Sequence, residues 1–187
     1  MKIKSILTIT LAIIISNFSF AQEKTATTQQ IFTKSLEQAK QENKNVFIIF
    51  RASWCSNCKK MDASMNAAST KKLFNENYVI KHLVVLESKN KKHLENAGSE
   101  DFLKKYGGDR QGVPFWLIFD SNGNLLADSK MVKNEFVLKE KGGNIGCPAS
   151  DDEVAAFIYK LKETSNLNDK ELATIAKQFK LNNSTRK

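Results

Sequence analysis

Trp54-Cys55-Ser56-Asn57-Cys58 comes four residues after the apolar run Val46-Phe47-Ile48-Ile49-Phe50, and this junction decides how the chain is read. The apolar run has the form of a buried strand. The stretch after the cysteines, 59–74, carries Met61, Met65, Ala68, Leu73 and Phe74 with helical character. Cys55 is therefore expected where a strand gives way to the first turn of a helix. There, unpaired backbone N–H groups and the positive end of the helix dipole favour a thiolate over a thiol. A thiolate is the species that attacks disulfides, and such settings lower a cysteine pKa well below its free value near 8.5. The two-residue spacer lets Cys58 reach back to Cys55, so the pair points to dithiol/disulfide chemistry.

The rest of the chain reads outward from this junction. Ile31, Phe32, Leu36 and Ala39 fall at helical spacing, predicting a helix to about Asn43 before the strand over 46–50. A second buried strand is expected over 78–86, and a helix over 100–106 stopped by Gly107-Gly108. Pro114-Phe115-Trp116-Leu117-Ile118-Phe119 is a further apolar strand. The turn Asp120-Ser121-Asn122-Gly123-Asn124 returns it to a strand beginning at 125–128. Residues 130–141 are ambiguous, and 142–146 read as a Gly-rich loop. Ser150-Asp151-Asp152-Glu153 has capping-box form and opens a helix with Val154, Phe157, Ile158 and Leu161 on one face. One more helix is expected over 169–181. The order of helices and strands predicts an α/β sandwich.

The first residues set the compartment. Lys2 and Lys4 precede an apolar run from Ile6 to about Phe20, with small residues near Ala21. That is the form of a secretory signal peptide over 1–21, cleaved after Ala21. The apolar run is short for a membrane span, which takes about 20 residues. Residues 22–30 are expected to be a flexible leader, 31–181 the domain and 182–187 a polar basic tail. The expected location is the periplasm or the exterior. The remaining chain, about 165 residues, is long enough for one well-packed domain.

The formal charge of +9 falls to +7 when Lys2 and Lys4 leave with the leader. The lysines are interspersed with acidic residues, as on a solvated basic surface, and affinity for an acidic partner is the secondary reading. Nucleic acid is not an expected partner. Three cysteines cannot build a disulfide framework. A zinc site would need further paired ligands beyond Cys147, His82 and His93, and no such spacing occurs. Copper(I), which accepts two soft thiolates, stays open as a reading of the same pair.

Beyond the cysteines themselves, the segment from Phe50 to Met61 resembles the active-site segment of the thioredoxin superfamily. Gly112-Val113-Pro114, opening an apolar strand that ends in Asp120 and a Gly turn, resembles that family's cis-proline segment. The similarity runs from about residue 31 to residue 161. It is greatest to exported bacterial thioredoxin-like proteins, including soluble domains of periplasmic thiol-disulfide interchange proteins. The resemblance implies a thioredoxin-like fold: a central mixed β-sheet flanked by helices, here with an extra C-terminal helix. It also implies that Cys55 attacks, Cys58 resolves and Trp54 packs beside the pair and shields it. Val113 and Pro114 would face the pair across a cis bond and meet the substrate.

By the same resemblance the chain would be a protein-disulfide oxidoreductase, reducing or isomerising disulfides of exported proteins. No organic cofactor or metal would be needed, because the sulfurs carry the electrons. A membrane or periplasmic donor or acceptor would reset the pair, and a monomer is expected. Two rivals remain at this point, a copper(I) carrier and a redox-inactive interaction protein.

Three departures from the family pattern matter. Ile49 stands where thioredoxins carry a buried aspartate, so Glu87 on the neighbouring strand is the candidate to move the Cys58 proton. The spacer Ser56-Asn57 differs from Gly-Pro, so the potential cannot be borrowed. The stretch 87–112 is longer than its counterpart. Cys147, in the loop before the helix opened by Ser150, is an auxiliary candidate if that loop approaches the pair.

Overall fold

A computed structural model describes residues 25–131 and 143–183. The signal peptide expected over 1–21, most of the ambiguous stretch 130–141 and the last tail residues lie outside the described residues.

The chain runs α1 (Thr28–Glu42), β1 (Asn45–Arg51), α2 (Ser56–Met65), α3 (Lys71–Asn77) and β2 (Tyr78–Val84). A 3-10 helix (Lys89–Leu94), α4 (Ser99–Lys105), β3 (Phe115–Phe119), β4 (Leu125–Asp128), α5 (Asp151–Glu163) and α6 (Asp169–Lys180) complete it. The strands form one mixed sheet in the order β2-β1-β3-β4. β1 pairs parallel to β2 and antiparallel to β3, and β4 returns antiparallel along β3. β1 and β3 occupy the centre, which is why they read as unbroken apolar runs: both of their faces are covered.

Side-chain alternation along these strands divides the core into two layers. Phe47, Ile49, Trp116 and Ile118 face α2, α3, α5 and α6 through Met61, Phe74, Phe157 and Phe179. Val46, Ile48, Phe50, Phe115, Leu117 and Phe119 face α1 and α4 through Ala39, Leu36 and Leu103. The result is the α/β, thioredoxin-like arrangement, with the C-terminal helices closing the first layer.

Several boundaries differ from the sequence expectation. Helix α1 starts at Thr28, because Thr27 and Gln30 form a reciprocal capping box, so the supposed leader supplies the cap and first turn. The single helix expected over 59–74 is two. Asn66 Nδ2 donates to the Asp62 carbonyl at 2.9 Å, and the buried Thr70 hydroxyl donates to the Ser64 carbonyl at 2.5 Å. These side chains take carbonyls at the end of the first helix and so break the ladder.

Asn182, assigned to the tail, is buried. It accepts from Ser64 Oγ at 3.2 Å and donates to the Pro148 carbonyl at 3.1 Å. At the other boundaries the expectations hold closely. Ser150 and Glu153 cap α5 reciprocally, and Gly107 takes φ +70° at the end of α4. A Cβ on the following Gly108 would run into Leu103 and Phe115.

Candidate functional site

The C-terminal end of β1 delivers Ala52, Ser53 and Trp54 to the start of α2, whose N-cap is Cys55 itself, at φ −76° and ψ 104°. The Cys55 sulfur takes the role that a Ser or Asp oxygen fills in most helix caps. It accepts from the Cys58 N–H at 3.0 Å, and the two cysteines are joined in a disulfide with Cα atoms 5.3 Å apart. When the pair is reduced, that N–H and the helix end favour charge on Cys55. The Val113 carbonyl oxygen, 3.4 Å from the Cys55 sulfur, opposes this by favouring a thiol that can donate to it. The Val113–Pro114 peptide bond is cis. Both cysteines are almost fully buried, packed with Ala52 against Val113.

Trp54 lies beside this cluster, yet 58 % of its surface is exposed. Its indole N–H donates to the Leu86 carbonyl at 2.8 Å, which holds the ring at the rim and leaves its face open to solvent. The expected shield is therefore an exposed rim residue. Val113 is half-buried and Pro114 buried.

The proline segment is fastened by a residue that the sequence reading missed. Asn144 Nδ2 donates to the Pro114 carbonyl at 2.9 Å and to the Gln111 carbonyl at 3.2 Å. Its Oδ1 accepts from the Gly146 N–H at 3.0 Å, and the Trp116 indole donates to the Gly146 carbonyl at 3.0 Å. The loop before α5 thus does reach the proline segment. Cys147, next along that loop, turns instead into the first core layer, where Asn182 Nδ2 lies 3.4 Å from its sulfur. It is a buried thiol in a cluster separate from the one that holds Cys55 and Cys58.

Glu87 is also placed differently from its expected role. Its buried carboxylate accepts from the Ser53 N–H at 2.5 Å and from the Ser53 hydroxyl at 2.8 Å. Burial raises its pKa, but the Ser53 hydrogen bonds and the charges of Lys91 and His93 outweigh this and hold it below the ordinary value. Glu87 is a brace for the loop that carries Cys55, and its side-chain hydrogen bonds go to Ser53 rather than to Cys58. Ile49 is fully buried in the aspartate slot.

A charged network lies on the same face of the sheet as Ile49. Asp62, one turn beyond Cys58, accepts from Arg51 Nη1 at 2.7 Å and pairs with His82 Nε2 at 2.8 Å. Burial raises the Asp62 pKa, yet the hydrogen bond and charge of His82 and the charge of Arg51 bring it below 3.8. A depressed carboxylate contributes stability above its unfolded pKa and loses it as pH falls through the folded one. Asp62→Asn should therefore cost about 1–2 kcal/mol at pH 7 for this half-exposed network. The gap from the unsubstituted protein in urea unfolding should close as pH drops below 3.8. Among the described residues, no three histidine, cysteine or acidic side chains gather where a metal could be held.

A family model described as thioredoxin-like matches residues 27–121, just over half of the chain and spanning α1 to the turn after β3. The chain belongs to the thioredoxin-like family. Solved structures to which the chain is similar include a disulphide isomerase from Xylella fastidiosa Temecula1. It is 19 % identical at TM-score 0.46, covering 59 % of this chain and 79 % of that one. Another is the oxidised C-terminal domain of DsbD from Neisseria meningitidis, 22 % identical at TM-score 0.39, covering 55 % and 82 %. A third is the exposed lipoprotein thioredoxin Etrx1 of Streptococcus pneumoniae TIGR4, 19 % identical at TM-score 0.38, covering 68 % and 89 %. No curated protein matches the chain. Within the thioredoxin-like frame, the brace from Glu87 to Ser53 and the clamp from Asn144 to Pro114 hold the two sides of the cysteine site. No helix among the described residues is long and apolar enough to cross a membrane.

Proposed function

We propose that this thioredoxin-like protein is an exported thiol-disulfide oxidoreductase that reduces or isomerises disulfides in extracytoplasmic proteins. The observation that carries this reading is Cys55 serving as its own helix cap, with the Cys58 N–H on its sulfur and a disulfide to Cys58. Export rests on the apolar leader over 1–21.

In the reducing direction the Cys55 thiolate attacks one sulfur of a substrate disulfide. The Cys55–substrate bond forms, the substrate S–S bond breaks and the other substrate sulfur departs as a thiolate. Cys58, once deprotonated, attacks the Cys55 sulfur. The Cys55–Cys58 bond forms and the second substrate thiolate leaves. The substrate gains two electrons and the protein loses two, so a dithiol donor must reset the pair. In the oxidising direction the same steps run backwards.

With Ile49 in the aspartate slot, water takes the Cys58 proton. Substrate would meet the Trp54 face and the Val113 backbone, whose N–H donates to no group among the described residues. Pro114 would shape that edge against the cysteine pair.

Equilibration of the purified protein with thiol redox buffers tests the reading. One reversible two-electron transition is expected, at the same midpoint in Cys147→Ser because Cys147 lies in a separate core cluster. A midpoint near the thioredoxin value of about −270 mV makes it a reductase, and one near about −120 mV a disulfide donor. Absence of any transition would overturn the reading and favour a copper(I) carrier.

A further inference from the structure

Between β2 and α4 the chain leaves the sheet and forms a short ridge with an unusual anchorage. Leu86 adopts φ +57°, a left-handed conformation that a bulky side chain rarely takes. Such strain persists where the surroundings enforce it. Here its carbonyl holds the Trp54 indole, and the next residue, Glu87, holds both the N–H and the hydroxyl of Ser53. Glu95, at the far end, accepts from the Glu87 N–H at 2.7 Å. The segment 86–95 is thus tied at its base to the two residues that precede Cys55. Between its anchors, all seven residues from 88 to 94 are exposed.

Those seven residues are Ser88, Lys89, Asn90, Lys91, Lys92, His93 and Leu94. The acidic groups at their borders are already engaged: Glu87 on Ser53, and Glu95 on Lys92 at 2.9 Å. Lys92 also feels Glu100 on the first turn of α4. Lys89 and Lys91 are exposed and form no ion pair within 4.0 Å among the described residues, although the Lys91 charge is also felt by Glu87. Apolar surface flanks them, with Trp54 58 % and Leu94 39 % exposed. Exposed cations beside an open aromatic ring, fixed next to a reactive sulfur, favour a chain that carries carboxylates near its own disulfide.

We infer that the 88–94 ridge is a docking surface for an acidic polypeptide segment flanking the disulfide of the protein's exported partner. Lys89 and Lys91 are its principal charges, and Trp54 supplies the apolar contact. The inference rests on the oxidoreductase reading above and adds a substrate class to it. It also accounts for the length of this stretch, which carries the partner-reading surface.

The test compares two disulfide peptides with the same ring, one flanked by Asp and Glu and the other by Lys, with bis(2-hydroxyethyl) disulfide as a neutral probe. The expected kcat/KM ratio of acidic to basic peptide is about 10 at low salt, since exposed pairs each contribute a few-fold. It should fall toward about 1 in 1 M salt, where the screening length is about 3 Å. Lys89→Gln/Lys91→Gln should bring the ratio to about 1 while the neutral disulfide is reduced at an unchanged rate, since the two Ser53 hydrogen bonds still hold the Glu87 carboxylate.

A ratio near one in the unsubstituted protein, or one that survives the double substitution, overturns the docking inference and leaves the oxidoreductase reading intact. If the neutral disulfide is not reduced at all, the oxidoreductase reading falls. The ridge is then judged by Kd for the S-alkylated peptides, where the same ratio supports it and equal values overturn it. A double substitution that removes binding to phosphatidylglycerol vesicles, with no peptide preference, assigns the ridge to a membrane surface and overturns the inference.

Discussion

Cys55→Ser is expected to abolish disulfide reduction, lowering the turnover rate by at least about 1,000-fold, as loss of a covalent nucleophile does elsewhere. The substitution is clean because serine keeps an acceptor for the Cys58 N–H that now donates to the Cys55 sulfur at 3.0 Å. The disulfide that disappears spans a sequence separation of only 3, so it restricts the unfolded chain little. Urea midpoints of the reduced proteins should therefore nearly coincide while activity differs by orders of magnitude. Cys58→Ser supplies the contrast, because attack still occurs and resolution does not. A stable mixed disulfide with a substrate peptide should accumulate and be visible by intact mass. If Cys55→Ser retained turnover, neither step of the proposed exchange would stand.

Phe157→Ala is expected to have the largest effect on stability, a loss of about 3–5 kcal/mol. Phe157 has no exposed surface and sits where the C-terminal helices meet the sheet. Its ring centroid lies 5.0 Å from that of Phe179, 5.4 Å from Trp116 and 6.4 Å from Phe74. Truncation would leave a cavity facing α3, α6 and β3 at once, with three rigid rings around it that cannot collapse to fill it. Against a typical domain stability of about 5–15 kcal/mol, that is a large share of the total. Urea unfolding should show a much lower midpoint at unchanged slope. A loss below about 1 kcal/mol would mean that α5 and α6 do not pack as described. Phe157→Leu should cost less, since it keeps most of the buried volume.

The two predictions separate the kinds of information this chain carries. The cysteine pair was legible because its setting is local: a strand, a cap position and a two-residue spacer are neighbours in sequence. The α5 capping box and the Gly107 stop were legible for the same reason, each depending on residues within one helical turn. Strands β1 and β3 announced themselves as apolar runs because burial on both faces removes polar residues from positions 46–50 and 115–119.

Less local features were misread or missed. Nothing in the run from Met61 to Phe74 marks the break, because it depends on the buried Thr70 hydroxyl reaching back to Ser64. Glu87, expected on the neighbouring strand, lies three residues beyond the end of β2, and its service to Ser53 depends on the left-handed turn at Leu86. His82, whose spacing offers no metal site, pairs with Asp62 on α2.

What the sequence by itself determined is the cysteine pair and the architecture around it: a strand-to-helix junction, two buried central strands, and helices with caps written into them. What only the tertiary structure decided is how that pair is framed. Asn144 clamps Pro114 across 30 residues, Asn182 is drawn from the tail into the core beside Cys147, and Trp54 is held open at the rim. The physical reason is the range of the interactions. Periodicity, caps and spacers act within a few residues and leave a pattern in the chain. A hydrogen bond between distant segments leaves none, because any polar residue could make it and only the packed fold selects which one does.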